Sequence, residues 1–361
     1  MEHSENMAMG SETIRVGLIG YGFAGKTFHA PLVRAIEGLS LVAVASSDAA
    51  KVHADLPDVT VYPYPDALIA AADIDMIIVA TPNDTHAPFS RAALEAGKHV
   101  VVDKPFALDL VEARELVRTS ERVGQNLWVF HNRRWDSDYL SVKSAIEAGA
   151  VGRVVHFESK IDRFRPEVRD RWRERAEAGA GLWFDLGPHL IDQALQLFGL
   201  PDSVIASTAK QRDGSLTDDW AHVILTYGER RVILQGAMLV AGGSARFVVH
   251  GTAGTLVKRH ADQQEAQLLR GIVPGEPGWG EDADSVVVHL REATHSIAAS
   301  VGDQREFYRL VREALLNGGD GPVRPVEALA VMAVIEAGAA SARHGRAMPL
   351  PLTDEERAAW A

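Results

Sequence analysis

Short apolar runs alternate with amphipathic stretches from residue 14 to about residue 132. The runs "IRVGLIG", "LVAVAS", "DMIIVAT", "HVVVD" and "NLWVF" have the continuous apolar character of strands that are buried on both faces. They cover residues 14–20, 41–46, 75–81, 99–103 and 126–130. Helical patterns such as residues 88–97 and 109–124 lie between them. This alternation predicts βαβ units and a doubly wound α/β domain, with a parallel sheet and helices on both of its faces.

The pattern changes after about residue 132. A helical stretch at 136–149 is followed by longer runs in which polar and apolar positions alternate, which is typical of an antiparallel sheet with one covered face. These runs cover residues 154–162, 202–212, 220–228, 230–240 and 245–251. Two helices, around 303–317 and 325–343, come near the end of the chain. The sequence therefore predicts a flexible N-terminus over 1–12, an α/β domain over 13–132, and an α+β domain with a large, mostly antiparallel sheet over 133–361.

Composition narrows the class of protein. The 361 residues are 47% apolar and 24% charged, which is typical of a soluble globular protein of two domains. The net charge of −12 argues against a surface for nucleic acid or anionic membrane. No cysteine is present, which excludes disulfides, thiolate zinc sites and a cysteine nucleophile. No apolar run is expected to reach the ~18–20 residues that span a bilayer, and the N-terminus lacks a signal-peptide pattern. We therefore expect a cytoplasmic enzyme or binding protein.

One segment departs from the acidic balance of the chain. Residues 162–175, "DRFRPEVRDRWRER", hold six arginines and four interleaved acidic residues. Because the local positive excess is small, we interpret this segment as a solvated charged loop or helix and not as a patch for nucleic acid.

A glycine loop follows the first predicted strand and opens a helix. Gly20, Gly22 and Gly25 have the G-x-G-x-x-G spacing of dinucleotide-binding Rossmann domains. The first glycine permits a tight turn, the second a close approach of pyrophosphate, and the third close packing of helix on strand. The helix N-terminus would face the phosphates with its positive dipole end. We expect Phe23 and Ala24 in the same loop to contact the cofactor as well.

The end of the second strand indicates which nicotinamide cofactor is bound. An acidic residue usually lies there and binds the ribose hydroxyls of NAD, but this chain has Ser46, followed by Ser47. Asp48 comes two residues after Ser46 and lies out of reach in this interpretation. Two hydroxyls without a carboxylate favour the 2′-phosphate of NADP. Because no arginine adjoins them, NAD stays open.

These residues together resemble the glucose–fructose oxidoreductase/inositol dehydrogenase (Gfo/Idh/MocA) family over nearly the whole chain. The resemblance rests on the glycine loop, on "ATPNDTH" (80–86), on "AGKHVVVDKP" (96–105) and on the D-x-x-x-H pattern of "DLGPH". The segments at 130–140, 162–174 and 185–199 are similar to the NADP-dependent scyllo-inositol dehydrogenase branch. The resemblance implies reversible oxidation of a secondary alcohol of a cyclic polyol, with scyllo-inositol as the expected substrate. It also implies a homodimer or homotetramer that assembles through the C-terminal sheet.

The resemblance further implies that Lys104, Asp185 and His189 form the active site, with Asp103 in place of the family's usual Glu. The residues support this independently, because Lys104 precedes Pro105 at the carboxyl end of a parallel strand, where doubly wound sheets bind ligands. We expect Lys104 to stabilise a developing alkoxide and His189 to take the hydroxyl proton. Asp185 would bind a neighbouring hydroxyl and orient His189.

Asp185 and His189 allow other interpretations. Asp185 can be a helix N-cap, with Pro188 in the first turn and His189 near the positive end of the helix dipole, where a neutral ring is favoured. The two can also be metal ligands, but no further cluster at ligand spacing is evident, so we expect no metal.

Further contacts are predicted on both sides of the cleft. The expected cofactor contacts beyond the glycine loop and the two serines are Thr81, Pro82, Asn83, His86, Asp103 and Lys104. The expected polyol contacts are His131, Arg134, Arg163, Arg165, Trp172 and Trp183. Several have structural alternatives: His86 can be a surface residue at a helix start, the arginines can pair with Glu167, Asp170 or Glu174, and the tryptophans can be core. Two rival functions stay open: a dehydrogenase of another sugar or inositol isomer, and a non-catalytic NADP-binding regulator.

Overall fold

The computed structural model describes residues 13–361, apart from the side chain of Trp172. The predicted flexible N-terminus, residues 1–12, lies outside the described part of the chain.

The first domain is built on a six-stranded parallel sheet with strand order β3-β2-β1-β4-β5-β6. Its strands are β1 (Ile14–Ile19), β2 (Leu39–Ala45), β3 (Thr60–Tyr62), β4 (Met76–Val79), β5 (His99–Val102) and β6 (Leu127–Val129). Its helices are α1 (Ala30–Arg34), α2 (Ala49–Asp55), α3 (Pro65–Ile69), α4 (His86–Glu95) and α5 (Leu110–Val123). The predicted doubly wound sheet is therefore confirmed. The sequence missed only the three-residue β3, which is too short to show a pattern.

The strand order places a ligand crevice at one edge of this sheet. The chain runs outward through β1, β2 and β3 and then returns to add β4 on the other side of β1. A crevice outside the carboxyl ends of the strands, at the point where the order reverses, is where such sheets bind ligands. The loops after β1, β4 and β5 therefore meet there.

The second domain is built on an eight-stranded sheet with order β14-β13-β12-β11-β7-β10-β9-β8. Neighbouring strands are antiparallel except β7 and β10, which are parallel. The strands are β7 (Val154–Asp162), β8 (Ser203–Ala209), β9 (Trp220–Tyr227), β10 (Arg230–Ala237), β11 (Phe247–Gly251), β12 (Gly254–Lys258), β13 (Val286–Leu290) and β14 (Thr294–Ile297). The mostly antiparallel sheet is confirmed. The sequence missed β12 to β14, which are short and end in an exposed edge strand without apolar alternation.

Helices pack on this second sheet. The helices of the second domain are α6 (Ser137–Glu147), α7 (Leu182–Phe198), α8 (Gln264–Leu269), α9 (Arg305–Asn317), α10 (Pro325–His344) and α11 (Asp354–Trp360). Among them, α6, α7 and α10 contact the strands of the sheet. Helix α7 packs on β10, and α10 packs on β8 and α7. The first sheet ends at β6 and α6 begins the second domain, on either side of residue 132, where the sequence predicts the boundary. The sequence did not predict α8 or α11.

Helix α10 connects the two domains, because it also packs on α5 and β6 of the first domain. Within residues 13–361 it is the one helix whose length and apolar composition would allow it to cross a membrane, and 61% of its apolar window is buried inside the protein. The expectation that no apolar run reaches this length is therefore wrong. Its burial between two domains makes it a core helix.

A buried aromatic cluster joins the domains near the ligand crevice. His29, which precedes α1, lies 2.6 Å through Nδ1 from the hydroxyl of Tyr308 in α9. Its ring centroid lies 4.3 Å from that of Phe130. Burial lowers the pKa of His29 from 6.5 to about 4, so the ring is neutral at neutral pH.

This cluster predicts an acid-sensitive contribution to stability. The folded protein binds the His29 proton more weakly than the unfolded chain, so the neutral ring contributes fully above pH 6.5 and loses its contribution as the pH falls toward 4. The wild-type free energy of unfolding should fall by about 2 kcal/mol more than that of His29→Phe between about pH 7 and about pH 5. Denaturant titrations at the two pH values measure this. Equal pH dependence of the two proteins would contradict the assignment.

Candidate active site

The glycine loop has the shape of a phosphate cradle. Gly20 has φ of 95°, and a Cβ there would lie 2.5 Å from the Ala80 carbonyl oxygen. A Cβ on Gly25 would overlap the carbonyl oxygen of Gly20, so this residue allows the close packing of helix on strand. A Cβ on Gly22 would meet no atom within 4 Å. Two glycines are therefore required by the fold, while the third leaves open space of the kind that a pyrophosphate needs. These residues fit a dinucleotide cofactor.

The loop at the end of β2 is organised by a helix cap. Asp48 is the N-cap of α2, with its carboxylate accepting from the Lys51 amide at 2.9 Å. The Ser46 hydroxyl accepts from the Asp48 amide at 3.2 Å. Lys51 then turns its ammonium back to the Tyr21 carbonyl, at 2.9 Å, inside the glycine loop. The helix that follows Ser46 and Ser47 therefore supplies a cation to the glycine loop, which the absence of an adjacent arginine in the sequence did not indicate. The capped first turn of α2 was the signal that could have found it.

His86, Thr81 and Asn83 support the loops of the first domain from inside. The buried His86 ring lies 2.8 Å from the Pro105 carbonyl oxygen and 3.0 Å from that of Thr81. The expected cofactor contact of His86 is therefore wrong, as is its alternative as a surface residue, because both ring nitrogens are engaged inside the fold. The Thr81 hydroxyl bonds Thr85, and the Asn83 amide donates to the Gly179 carbonyl at 2.9 Å. Pro82 is exposed.

Lys104 lies where β5 ends, and it reaches across to the second domain. Its Nζ donates to the backbone oxygen of Asp185 at 2.6 Å and to the Asp185 carboxylate at 3.1 Å. An ammonium has three donors, so one remains for a substrate oxygen. Asp103 accepts from the Lys104 amide at 2.8 Å, so the shorter carboxylate still orders this turn. The Lys104–Pro105 peptide is cis.

Asp185 is held by two cations. Besides Lys104, the Arg173 guanidinium lies 3.4 Å from the same carboxylate oxygen. Burial alone would raise the pKa of Asp185, but Lys104 and Arg173 hold it well below its usual range. Asp185 is therefore an anion at neutral pH, and it holds the Lys104 ammonium in position.

Asp185 does not cap its helix, so that interpretation is wrong. Helix α7 begins at Leu182 after Gly181, which has φ of 103° and a side chain too small to cap. Asp218 from a distant loop caps it instead, accepting from the Trp183 amide at 2.7 Å. Pro188 lies inside the helix and not in its first turn. Because Asp218 satisfies the helix start, the Asp185 carboxylate is free to bind Lys104.

His189 follows Asp185 by one turn and lines the cleft with 7% of its surface exposed. Its Nδ1 is buried and has no hydrogen-bond partner among the described residues, so Asp185 does not orient the ring. Burial, followed by the charges of Lys104 and Arg133, lowers the pKa of His189 well below 6.5. As His189 is the eighth residue of α7, these causes, and not the helix dipole, explain a neutral imidazole that can accept a proton.

A cleft of about 440 Å³ lies between the two domains, and it is lined by Lys104, Asp185 and His189, which we call the trio. Phe23, Ala24, Asp103 and Lys104 line it from the first domain. The second domain contributes His189, Asp185 and several arginines, including Arg163 and Arg165. The structure therefore brings the glycine loop, the strand-end lysine and the D-x-x-x-H segment to one place.

Three of the expected polyol contacts do not reach this cleft. Arg134 is bound to Asp192 of α7 at 2.6 Å and to Glu327 of α10 at 3.0 Å, so these two carboxylates compensate its charge. Trp183 is buried and donates to the Ile335 carbonyl at 3.1 Å, so it is a core residue. His131 is buried behind the cleft, with no partner for its ring nitrogens among the described residues. The predicted polyol contacts at these three positions are therefore wrong, because none of the three side chains lines the cleft.

The arginine-rich segment is largely an exposed or partly exposed loop, as expected, but one side of it lines the cleft, which the sequence did not predict. Besides Arg163 and Arg165, it supplies Arg169, Arg171 and Arg173. The interleaved acids neutralise only part of this charge: Glu174 binds Arg171 at 2.7 Å and also Arg212 at 3.1 Å, and Asp170 binds the exposed Arg175 at 2.9 Å. Trp172 starts a short 3₁₀ helix in this segment, and its side chain is outside the described part of the chain. Asn132, Arg133, Glu265 and Leu269 are further lining residues that the sequence reasoning missed.

No group of three or more His, Asp or Glu within residues 13–361 is placed to hold a metal ion.

Comparison with known proteins agrees with this geometry. Residues 14–131 match an oxidoreductase family with an NAD-binding Rossmann fold, and residues 143–352 match the C-terminal alpha/beta domain of the same Gfo/Idh/MocA family. An uncharacterised oxidoreductase of Escherichia coli is 49% identical over 92% of this chain and 98% of its own. An NADP-dependent scyllo-inositol 2-dehydrogenase of Bacillus subtilis is 34% identical over 94% of this chain and 96% of its own. A crystal structure from Klebsiella pneumoniae has a TM-score of 0.92 at 56% identity, covering 97% of this chain and 98% of that one.

Proposed function

Since the chain belongs to the Gfo/Idh/MocA oxidoreductase family, we propose that it reversibly oxidises a secondary alcohol of a cyclic polyol or sugar with NADP. The single observation that carries this proposal is the convergence of Lys104, Asp185 and His189 in one cleft, beside a glycine loop that fits a dinucleotide. The family match supports the enzyme class, an NAD(P)-dependent oxidoreductase acting on CH–OH groups. The substrate and the choice of NADP are what we propose beyond it.

Each residue of the trio has a separate task in alcohol oxidation. The neutral His189 ring accepts the hydroxyl proton, since its lowered pKa leaves it unprotonated at neutral pH. The free donor of Lys104 binds the same oxygen and stabilises the negative charge that develops on it. Asp185 orients Lys104 through their ion pair. A nicotinamide cofactor, when bound at this sheet edge, supplies the hydride acceptor.

The arrangement also argues against a non-catalytic NADP-binding regulator. A regulator needs the glycine loop but has no use for a buried ion pair next to a neutral, partner-free imidazole. General-base catalysis typically contributes about 10²–10⁴-fold to a rate. An enzyme therefore explains the cost of burying these groups, whereas simple nucleotide binding does not.

Substitution of the trio tests the proposed reaction. Lys104→Met and His189→Ala should each lower kcat/KM for NADP-dependent oxidation of scyllo-inositol by about 10²-fold or more, because charge stabilisation or proton transfer is lost. NADPH binding, followed by fluorescence, should persist in His189→Ala. The matched control is Lys143→Met, which changes an exposed lysine outside the cleft.

The pH profile separates a catalytic His189 from a structural one. Because its pKa lies below 6.5, wild-type kcat/KM should hold as the pH falls through 6.5 and decline only below it. Full activity of Lys104→Met or His189→Ala would contradict the catalytic assignment of these two residues.

The second strand supports NADP over NAD. Ser46 and Ser47 offer hydroxyls, Asp48 is turned away as a helix cap, and the Lys51 ammonium lies against the glycine loop. A 2′-phosphate placed here would meet one cation and no free carboxylate. The NADP-dependent relative from Bacillus subtilis adds support for this choice.

Two substitutions test the choice of cofactor. Lys51→Ala should raise the Kd for NADP about 10-fold and leave the Kd for NAD unchanged, because one charge-assisted hydrogen bond is lost. Ser46→Asp should reverse the preference toward NAD, since its carboxylate repels a 2′-phosphate and accepts from ribose hydroxyls. Fluorescence titration of the reduced cofactors gives both constants. An unchanged ratio in both variants would refute NADP specificity.

We also propose that a second copy of the chain covers the helix-free face of the large sheet. A row of partly exposed apolar side chains crosses that face, including Ile205, Ile224, Ile233, Val248 and Val257. Such a face favours an interface, and the native mass in solution is its test.

A further inference from the structure

The cleft carries a positive charge that is opposite to the charge of the whole protein. The chain has a net charge of −12, yet six arginines and Lys104 line the cleft, against the carboxylates of Asp103, Asp185 and Glu265. Hydrogen bonding to neutral hydroxyls does not require such an excess of cations. Because the arginines are concentrated in one cavity, the local electrostatic potential there is positive and attracts an anion.

Ion pairs account for only part of this charge. Arg133 is bound to Asp136 at 2.9 Å and to Glu265 at 3.1 Å. Arg171 is bound to Glu174, and Lys104 and Arg173 share Asp185. The remaining lining arginines are without a carboxylate within salt-bridge distance among the described residues: Arg163, Arg165 and Arg169.

The backbone fixes two of these guanidinium groups on the same side. The Arg163 amide donates to the Ala237 carbonyl at 2.8 Å, and the Arg165 amide donates to the Met238 carbonyl at 2.7 Å. These bonds lie just beyond the ends of β7 and β10, where Phe164 also forms an isolated bridge with Leu239. Phe164 is 58% exposed and does not line the cleft, whereas Arg163 and Arg165 on either side of it both do. The two arginines are therefore held by backbone hydrogen bonds and face the same cleft.

A bound counter-ion would stabilise Arg163 and Arg165 in this environment. Burial, followed by the charge of Arg165, lowers the pKa of Arg163. Burial, followed by the charges of Arg169 and Arg171, lowers the pKa of Arg165. Cations that are partly removed from water and close to each other repel, and a bound anion relieves both penalties. Guanidinium groups also match carboxylate and phosphate oxygens in geometry.

We propose that the substrate is an anionic polyol or sugar, whose carboxylate or phosphate group is bound by Arg163 and Arg165 while its reacting hydroxyl meets Lys104 and His189. This inference rests on the proposed function, because it places a second substrate subsite in the same cleft. A neutral polyol can use the reacting end of the cleft but leaves the two arginines without an anion. The anionic group therefore sets both orientation and specificity.

Matched substrates test the proposal at saturating NADP. The neutral members are glucose and scyllo-inositol, the carboxylate is glucuronate, and the phosphates are glucose 6-phosphate and an inositol monophosphate. At least one anionic member should exceed its neutral counterpart in kcat/KM by about 10- to 100-fold. The carboxylate and phosphate arms identify which anion is preferred. Equal kcat/KM values for neutral and anionic members would overturn the proposal, while the alcohol oxidation itself would stand.

Variants connect this preference to the two arginines. The double variant Arg163→Gln/Arg165→Gln should lose the anion preference, mainly through a raised KM for the anionic member, so that the ratio of the two kcat/KM values falls toward one. Arg175→Gln is the matched control, since Arg175 is exposed and pairs with Asp170 in the same segment. The single variant Arg163→Lys retains the charge and should keep part of the preference, which guards against a folding defect in the double variant. A double variant that binds NADP more weakly and loses both substrate classes alike would assign the arginines to the cofactor phosphates and overturn the proposal.

A binding measurement separates this proposal from the proposed reaction. Inorganic phosphate should bind the NADPH-loaded protein, by calorimetry, about 10-fold or more tightly than it binds the loaded double variant. Equal binding would overturn the anion subsite. Tight binding without turnover of any alcohol would contradict the proposed reaction and leave the subsite supported.

Discussion

The ion pair between Lys104 and Asp185 is the interaction on which the candidate site depends. Lys104 belongs to the end of β5 in the first domain, and Asp185 belongs to the first turn of α7 in the second. The pair therefore fixes the position of the cofactor-binding edge relative to the substrate side. Because both groups are largely shielded from water, removing either one leaves an uncompensated charge, and the pair is worth more to orientation than an exposed salt bridge would be.

Several features of the fold make this pair possible. Asp218 caps α7, which releases the Asp185 carboxylate from the helix start. The neighbouring turn is held by His86, whose ring contacts the Pro105 carbonyl. Helix α10 and the His29–Tyr308 contact keep the domains together. His189 then lies one turn beyond Asp185, in an environment of burial and positive charge that keeps the imidazole neutral. The lysine that Asp185 holds in place therefore also contributes to the neutrality of His189.

The sequence was sufficient for features that are local or periodic. The buried strands and the glycine loop were predictable from residues close together in the chain, and Lys104, Asp185 and His189 were proposed as site residues through a family resemblance. Long-range pairing was not predictable: nothing near residue 185 shows that Asp218 supplies the cap, or that Asp192 and Glu327 occupy Arg134. The arginine segment shows the same limit, because composition counts charges but not partners. Glu174 and Asp170 neutralise particular arginines and leave Arg163 and Arg165 to the cleft.

In the proposed reaction, Lys104 and His189 act on the same substrate oxygen across the domain interface. A crystal structure of the protein with NADPH and a bound polyol would show this contact. We expect one hydroxyl oxygen within hydrogen-bond distance of both Lys104 Nζ and the His189 ring, with Asp185 still bound to Lys104. A hydroxyl that faces the nicotinamide but is contacted by neither residue would contradict it.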